Sequence, residues 1–136
     1  KLTVQNNLNE NTKVMADEAA LKLILTNFLS NAIKHSPKKA LINLAESSSS
    51  KGFIRLSVSD EGKGVPKKYK ERVFERFYRI DKGRSSETGG TGLGLSISKN
   101  LAFMMGYSVG VEANEPKGAT FFIDIKVDEE KSIQAA

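Results

Sequence analysis

The sequence predicts an α/β fold of the two-layer, α+β kind: one mixed, mainly antiparallel sheet of about five strands, covered on one face by about three helices. Three observations point there. Short alternating segments outnumber helical ones, and most connect as hairpins through turn residues such as Asn114-Glu115-Pro116-Lys117-Gly118. Two longer segments, near 17–36 and 93–106, repeat apolar residues at helical spacing. The chain of 136 residues shows no internal repeat and no domain linker, so it suits one domain with one core.

Taken in order, Lys1 to Gln5 and Lys13 to Met15 read as short strands joined by the Asn-rich turn Asn6 to Asn11. Asp17 is a helix N-cap and Glu18 suits the positive end of the helix dipole. Leu21, Leu25, Phe28/Leu29 and Ala32/Ile33 then mark a helix that stops at Ser36, because Pro37 disfavours helical backbone in the residue before it. Strands are expected at Ala40 to Glu46 and Phe53 to Asp60, where Ile54, Leu56 and Val58 alternate with Arg55, Ser57 and Ser59. Lys67 to Val73 is predicted as a short helix behind Pro66. Lys82 to Gly90 is polar and without pattern, and Arg79 to Gly89 has the composition of a mobile lid. Leu93, Ile97, Leu101 and Met104/Met105 predict a second long helix ended by Gly106. Strands at Ser108 to Ala113 and Thr120 to Val127 complete the domain, taken as residues 1–127. Residues 128–136 read as a frayed tail.

Composition narrows the function classes. There is no cysteine, which excludes a disulfide framework and a thiolate metal site. No apolar run reaches the roughly 20 residues needed to cross a bilayer. The formal charge is +5, with lysines gathered at 38–39 and 63–70. Such a surface suits phosphates. The basic stretches carry a single aromatic, Tyr69, and no aromatic-interleaved run, which argues against nucleic acid.

Three segments then describe a nucleotide site. Positions 27, 31 and 34 fall within about 60° on a helix, so Asn27, Asn31 and Lys34 share one face beside the apolar stripe. An Asn carbonyl is a hard oxygen ligand of the kind magnesium accepts, and Lys34 can meet a phosphate oxygen. Taken alone, the two asparagines could equally bridge helix to loop. Asp60 follows Leu56 and Val58 on one side of its strand, so its carboxylate is either a turn former or a pocket acceptor. Gly62 and Gly64 would let backbone approach a flat ligand, with Asp60 taking an adenine amine and Val65 packing on the ring. Thr88-Gly89-Gly90-Thr91-Gly92 feeds into a helix N-terminus, an anion site by geometry and dipole. Neither a Walker motif nor GxGxxG after a strand is present. His35 is the sole histidine, and Phe74 to Arg79 is an aromatic-basic cluster in which Phe74 and Phe77 could dock on the core.

In this order the segments resemble the ATP-binding catalytic domain of sensor histidine kinases, a branch of the Bergerat-fold ATPases that includes gyrase. Asn27 to His35 is similar to the N box, Asp60 to Val65 to the first glycine box, Phe74 to Arg79 to the F box, Gly90 to Leu95 to the second glycine box, and Gly118 to Phe121 to the last glycine element. The resemblance covers about Leu2 to Val127. It implies Mg²⁺ on Asn31, support of the metal-phosphate end by Asn27, and phosphate contacts from Lys34 and Arg79. It further implies stacking by His35, adenine recognition by Asp60 with Thr120 helping through water, and a lid hinged and floored by Gly90, Gly92 and Gly94. Phe77, Thr91 and Leu93 fall in the same nucleotide-binding boxes. One departure is visible: the family often has two glycines before its penultimate strand, whereas Gly106 is followed by Tyr107.

Gyrase-like ATPases and anti-sigma serine kinases carry a glutamate four residues before the metal asparagine. Asn27 stands there, and an amide cannot take a proton from water or a serine hydroxyl. An imidazole acceptor brings its own nucleophilic nitrogen, so the resemblance favours a histidine kinase. No phospho-accepting helix follows the expected pattern in this chain, so the acceptor histidine is expected on a separate dimerisation domain, with a response regulator downstream. The expected cofactors are ATP and Mg²⁺. The segment is expected to be a monomeric cytoplasmic domain with no nucleic-acid or membrane contact, in a soluble or membrane-anchored parent. The alternatives are a Bergerat-fold ATPase, a serine kinase, or a nucleotide-binding scaffold without phosphotransfer.

Overall fold

A computed structural model describes residues 3–78 and 93–128. Five strands form one sheet: β1 (Thr3–Asn7), β2 (Leu41–Ser48), β3 (Phe53–Ser59), β4 (Ser108–Ala113) and β5 (Ala119–Lys126), in the order β1-β2-β3-β5-β4. β1 runs parallel to β2, and every other pairing is antiparallel. The mixed sheet expected from the hairpin-rich sequence is therefore present. Lys13 to Met15 does not form a strand; only Val14 makes an isolated bridge, to Val127.

Two α-helices cover one face, α1 (Glu18–His35) and α2 (Gly94–Met104). The Asp17 side chain accepts from Ala20 N at 2.8 Å, which caps α1 and satisfies one of its orphan donors. Ser36 closes α1 in extended conformation, as Pro37 requires. The stretch predicted as a short helix at Lys67 to Val73 is two 3-10 turns, Lys67–Tyr69 and Arg72–Phe74. Its apolar residues are too few to bury a full helical stripe, and the second turn suffices to sink Val73 and Phe74.

Alternation along the strands sends Ile42, Leu44, Leu56, Val58, Phe121, Ile123 and Ile125 to the helix side, where they meet Ile24, Phe28 and Ala32 of α1 and Ala102 of α2. Phe121 anchors this layer, 5.8 Å from the Phe28 ring and 6.0 Å from Phe74. Each large apolar side chain so buried contributes about 1.5–3 kcal/mol. The opposite face is polar and self-satisfied. There Arg55 forms a bidentate pair with Asp124 at 2.8 and 3.0 Å and stacks 3.6 Å over Phe122. The hydrogen bond to Asp124 raises the Arg55 pKa above its ordinary value, with burial opposing the shift.

α2 differs from its predicted stripe. Ser98 and Ala102 are the fully buried positions, whereas Ile97 is 41% and Met104 80% exposed. α2 carries apolar residues on more than one side, and the side chosen is the one whose small residues Ser98 and Ala102 are sealed in. Its C-terminus is a Schellman closure, with Gly106 N bonded to Phe103 O and Tyr107 N to Ala102 O. Gly106 supplies the positive φ of +84°. Tyr107 then packs edge-on against Phe53 and its hydroxyl donates to Met15 O, so one glycine closes the helix where the family often has two.

Candidate functional site

The far end of β3 meets the C-terminal end of α1 at Asp60. Although charged, this residue is only 3% exposed. Its Oδ1 accepts from Gly62 N at 2.9 Å and from Ala119 N at 3.1 Å. Oδ2 takes no hydrogen bond from a described residue. Among the described residues the buried side-chain oxygen without a hydrogen bond is Ser36 Oγ, not this atom, so Oδ2 is not sealed in the core and can meet a ligand. The Asp60 backbone is held from both sides: its N–H donates to Ala119 O at 2.8 Å, and its carbonyl accepts from Asn114 Nδ2 at 2.7 Å.

Three glycines make this junction possible, and what they admit is the chain's own backbone rather than open space. A Cβ on Gly62 would strike the His35 carbonyl, so the first glycine loop can lie directly on the end of α1. At Gly64 a Cβ would sit 2.9 Å from Gly118 O. Gly118 adopts φ +105°, and a Cβ there would collide with Asp60 O. The sequence reading assigned Gly62 and Gly64 to the approach of a flat ligand; here they serve the packing that fixes Asp60. Val65 follows, half-buried against the core.

Along α1, Asn27 and Asn31 are half-buried, while Lys34 and His35 are exposed. Asn27 Nδ2 donates to Gly94 O at 3.1 Å and to Ser98 Oγ at 3.3 Å, which ties α1 to the first turn of α2. Asn31 makes no hydrogen bond with a described residue. The α2 N-terminus has no side-chain cap; Ser96 Oγ bonds Leu93 O at 2.9 Å instead. Its first N–H groups therefore have no side-chain partner at the cap position, the arrangement suited to an anion. From Asn27 beside Gly94 to His35 beside Gly62, the helix spans eight residues, about 12 Å. An amide-lined end and a carboxylate end thus share one edge of the helical layer.

Two expected members are placed otherwise. Thr120 lies opposite Ser59 in the β3–β5 ladder, and their hydroxyls are 2.8 Å apart on the polar face of the sheet. Alternation turns it away from the Asp60 carboxylate, and Ala119, one residue earlier, makes the contact. The expected water-mediated help from Thr120 is thereby corrected. Phe77 does not dock on the core: it is 62% exposed with φ +64°, while Phe74 is buried. Arg79, Gly90, Thr91, Gly92 and the expected lid lie outside the described residues. Sequence reasoning missed Ser98 and Asn114 as parts of the site's frame, and marked Gly118 only through the family resemblance. Ser98 had a signal, a polar residue four after Gly94 inside an apolar helix.

A carboxylate buried at the end of a core-facing strand, beside a helix bearing Asn27, Asn31 and Lys34, defines a two-layer nucleotide-binding domain. The comparisons agree. The family described as histidine kinase-, DNA gyrase B- and HSP90-like ATPase matches residues 16–129, and the chain belongs to it, as an ATP-binding catalytic domain of the histidine-kinase type. The sensor histidine kinase WalK of Bacillus subtilis is 36% identical over 129 residues, 94% of this chain and 21% of WalK. The mycobacterial sensor histidine kinase MprB superposes with a TM-score of 0.77 at 27% identity, over 93% of this chain and 82% of that one. Full-length ShkA, solved in complex with AMPPNP, gives 0.77 at 32% identity, over 93% of this chain and 26% of ShkA. The chain spans about a tenth to a third of the length of the curated relatives it matches. No helix among the described residues is long and apolar enough to cross a membrane.

Proposed function

We propose that residues 1–127 bind Mg-ATP and donate its γ-phosphate to a histidine on a separate dimerisation domain of the same protein, for relay to a response regulator. The observation that carries this reading is Asp60, buried with Oδ2 open, at the end of a helix edge that presents two asparagines and a lysine. Asp60 Oδ2 accepts the exocyclic amine of adenine, while Gly62, Gly64 and Val65 form the wall beside it and His35 lies against the nucleotide.

Asn31 is the metal ligand, with Asn27 supporting the same end. Among the described residues no group of three or more His, Cys, Asp or Glu side chains converges. Amide oxygens with phosphate and water are a ligand set that magnesium accepts. When bound, magnesium neutralises charge on the phosphates. Lys34 and Arg79 add positive charge at that end, and Gly90, Thr91, Gly92, Leu93 and Gly94 lead into the uncapped α2 N-terminus. The domain works in the cytoplasm as one part of a larger kinase. AMPPNP binding by ShkA, a protein of the same fold, supports ATP as the nucleotide.

The test is calorimetry of ATP with and without Mg²⁺, followed by transfer assays to an added histidine-bearing helical domain. Magnesium-dependent ATP binding and phosphorylation of the partner are expected. A chain that binds no adenine nucleotide would end the reading.

A further inference from the structure

Ser98 is completely buried in the seam between α1 and α2, where a hydroxyl costs free energy unless partnered. Its Oγ accepts from Asn27 Nδ2 at 3.3 Å, and the same nitrogen donates to Gly94 O at 3.1 Å. Gly94 O decides which way the Asn27 carboxamide faces, and the Ser98 hydroxyl, able to donate as well as accept, is a second anchor for it. A carbonyl can only accept, so the NH₂ of Asn27 must be the end turned to Gly94 O. Ser98 stands one helical turn after Gly94 and takes the second N–H. Both amide hydrogens are then held inside the seam, and Oδ1 has no hydrogen bond with a described residue. The rotated amide would leave Gly94 O facing an oxygen and present two partly positive hydrogens in place of Oδ1.

We propose that Ser98 is a positioning residue: it holds the Asn27 amide in the orientation that Gly94 O selects, so that Oδ1, and not the NH₂ group, is offered to the magnesium-phosphate end of the nucleotide site. The inference rests on the nucleotide reading above and adds to it a residue that touches neither nucleotide nor metal. Without the hydroxyl, Gly94 O alone holds the amide, one N–H is left unpartnered, and the side chain gains rotational freedom.

The experiment measures ATP affinity of the chain with and without Mg²⁺, and reads the ratio of the two. Ser98→Ala should reduce the magnesium-dependent gain about three- to tenfold, the effect of one ordinary hydrogen bond, and leave magnesium-free affinity unchanged. Ser98→Thr and Ser98→Val have the same shape and differ in the hydroxyl, so Thr should retain the gain relative to Val. An unchanged ratio in Ser98→Ala, or equal losses in Thr and Val, overturns the proposal while leaving the nucleotide reading intact. A wild-type chain whose ATP binding ignores magnesium overturns both. Should the variants not fold, NMR of the unmodified chain decides: Asn27 side-chain NH₂ protons must show cross-peaks to the Ser98 β-protons, and their absence refutes the lock.

Discussion

At Asp60 the two carboxylate oxygens have different duties, and a substitution can separate them. Oδ1 is engaged by Gly62 N and Ala119 N, whereas Oδ2 is the atom proposed to meet adenine. Asp60→Ala therefore damages frame and recognition together, but Asp60→Asn can keep an acceptor for the frame and place an NH₂ where the adenine amine must come. ATP affinity should fall by about 1.5–3 kcal/mol, the range for a hydrogen bond to a charged group. GTP, which offers a carbonyl at that position, should gain relative to ATP, and calorimetry with both nucleotides reads the ratio. Equal ATP and GTP binding by the wild-type domain would remove Asp60 from adenine recognition. Thr120→Val is the matching control. Its hydroxyl pairs with Ser59 on the far face, so ATP affinity should stay within about 0.5 kcal/mol of wild type. Asn31→Ala should abolish phosphotransfer to an added histidine domain while leaving the melting temperature in place, because this half-buried amide makes no hydrogen bond with a described residue. Wild-type transfer at saturating ATP would mean that Asn31 is not a magnesium ligand.

The elements were legible in the sequence to the extent that one local force dominates each. α1 has an N-cap, an acidic first turn, an apolar stripe and a proline stop, all in agreement, and its expected end at Ser36 stands. Its cap is a direct test: Asp17→Ala removes the bond to Ala20 N and should cost about 1 kcal/mol in chemical denaturation. Strands β3, β4 and β5 alternate cleanly and lie where period-two patterning places them. α2 was read a step out of phase because its apolar residues Leu95, Ile97, Leu101, Phe103 and Met104 lie on several sides of the helix, so pattern alone cannot choose a face. The choice is made by contact with α1, where Ser98 and Ala102 are small enough to be sealed in. The short helix expected after Pro66 failed for the opposite reason, with too little apolar surface to repay a continuous turn. Within the site, Asp60, Asn27 and Asn31 stood out as polar groups on apolar faces. Asn114 did not, because its role is to hold Asp60's backbone from a hairpin 54 residues away, by its bond to the Asp60 carbonyl, and Gly118 was legible only through the family resemblance. Turn residues of that composition occur in any hairpin.

For the molecule as a whole, the two ends of the site are built on different supports. The Asp60 end is clamped by β3, the β4–β5 hairpin and the last turn of α1, through close backbone approach at Gly62, Gly64 and Gly118 and bonds from Ala119 N and Asn114 Nδ2 to Asp60. The phosphate end depends on side chains, with Asn27 spanning to Gly94 and Ser98 across the helix seam. Such a division suits a domain that holds adenine in a fixed place while its phosphate end is completed by another protein surface. It also bears on what the domain can do alone. Hydrolysis needs a positioned water and a group to take its proton, and general-base assistance is worth about 10²–10⁴-fold. The position where a base is expected from the ATPase branch of the family is Asn27, and an amide has no basic site. Its NH₂ is moreover engaged by Gly94 O and Ser98 Oγ. The isolated domain should therefore bind ATP yet release phosphate very slowly in a steady-state assay. Addition of a dimeric histidine-bearing domain should produce phosphate on that partner which is labile to acid and stable to base, as a phosphoramidate is. Asn27→Glu is a weaker probe, since a carboxylate there would lose the two donor contacts and disturb the metal end as well. Robust ATPase activity by the unmodified domain alone would overturn the kinase assignment, because it would require a base that this arrangement does not supply at residue 27.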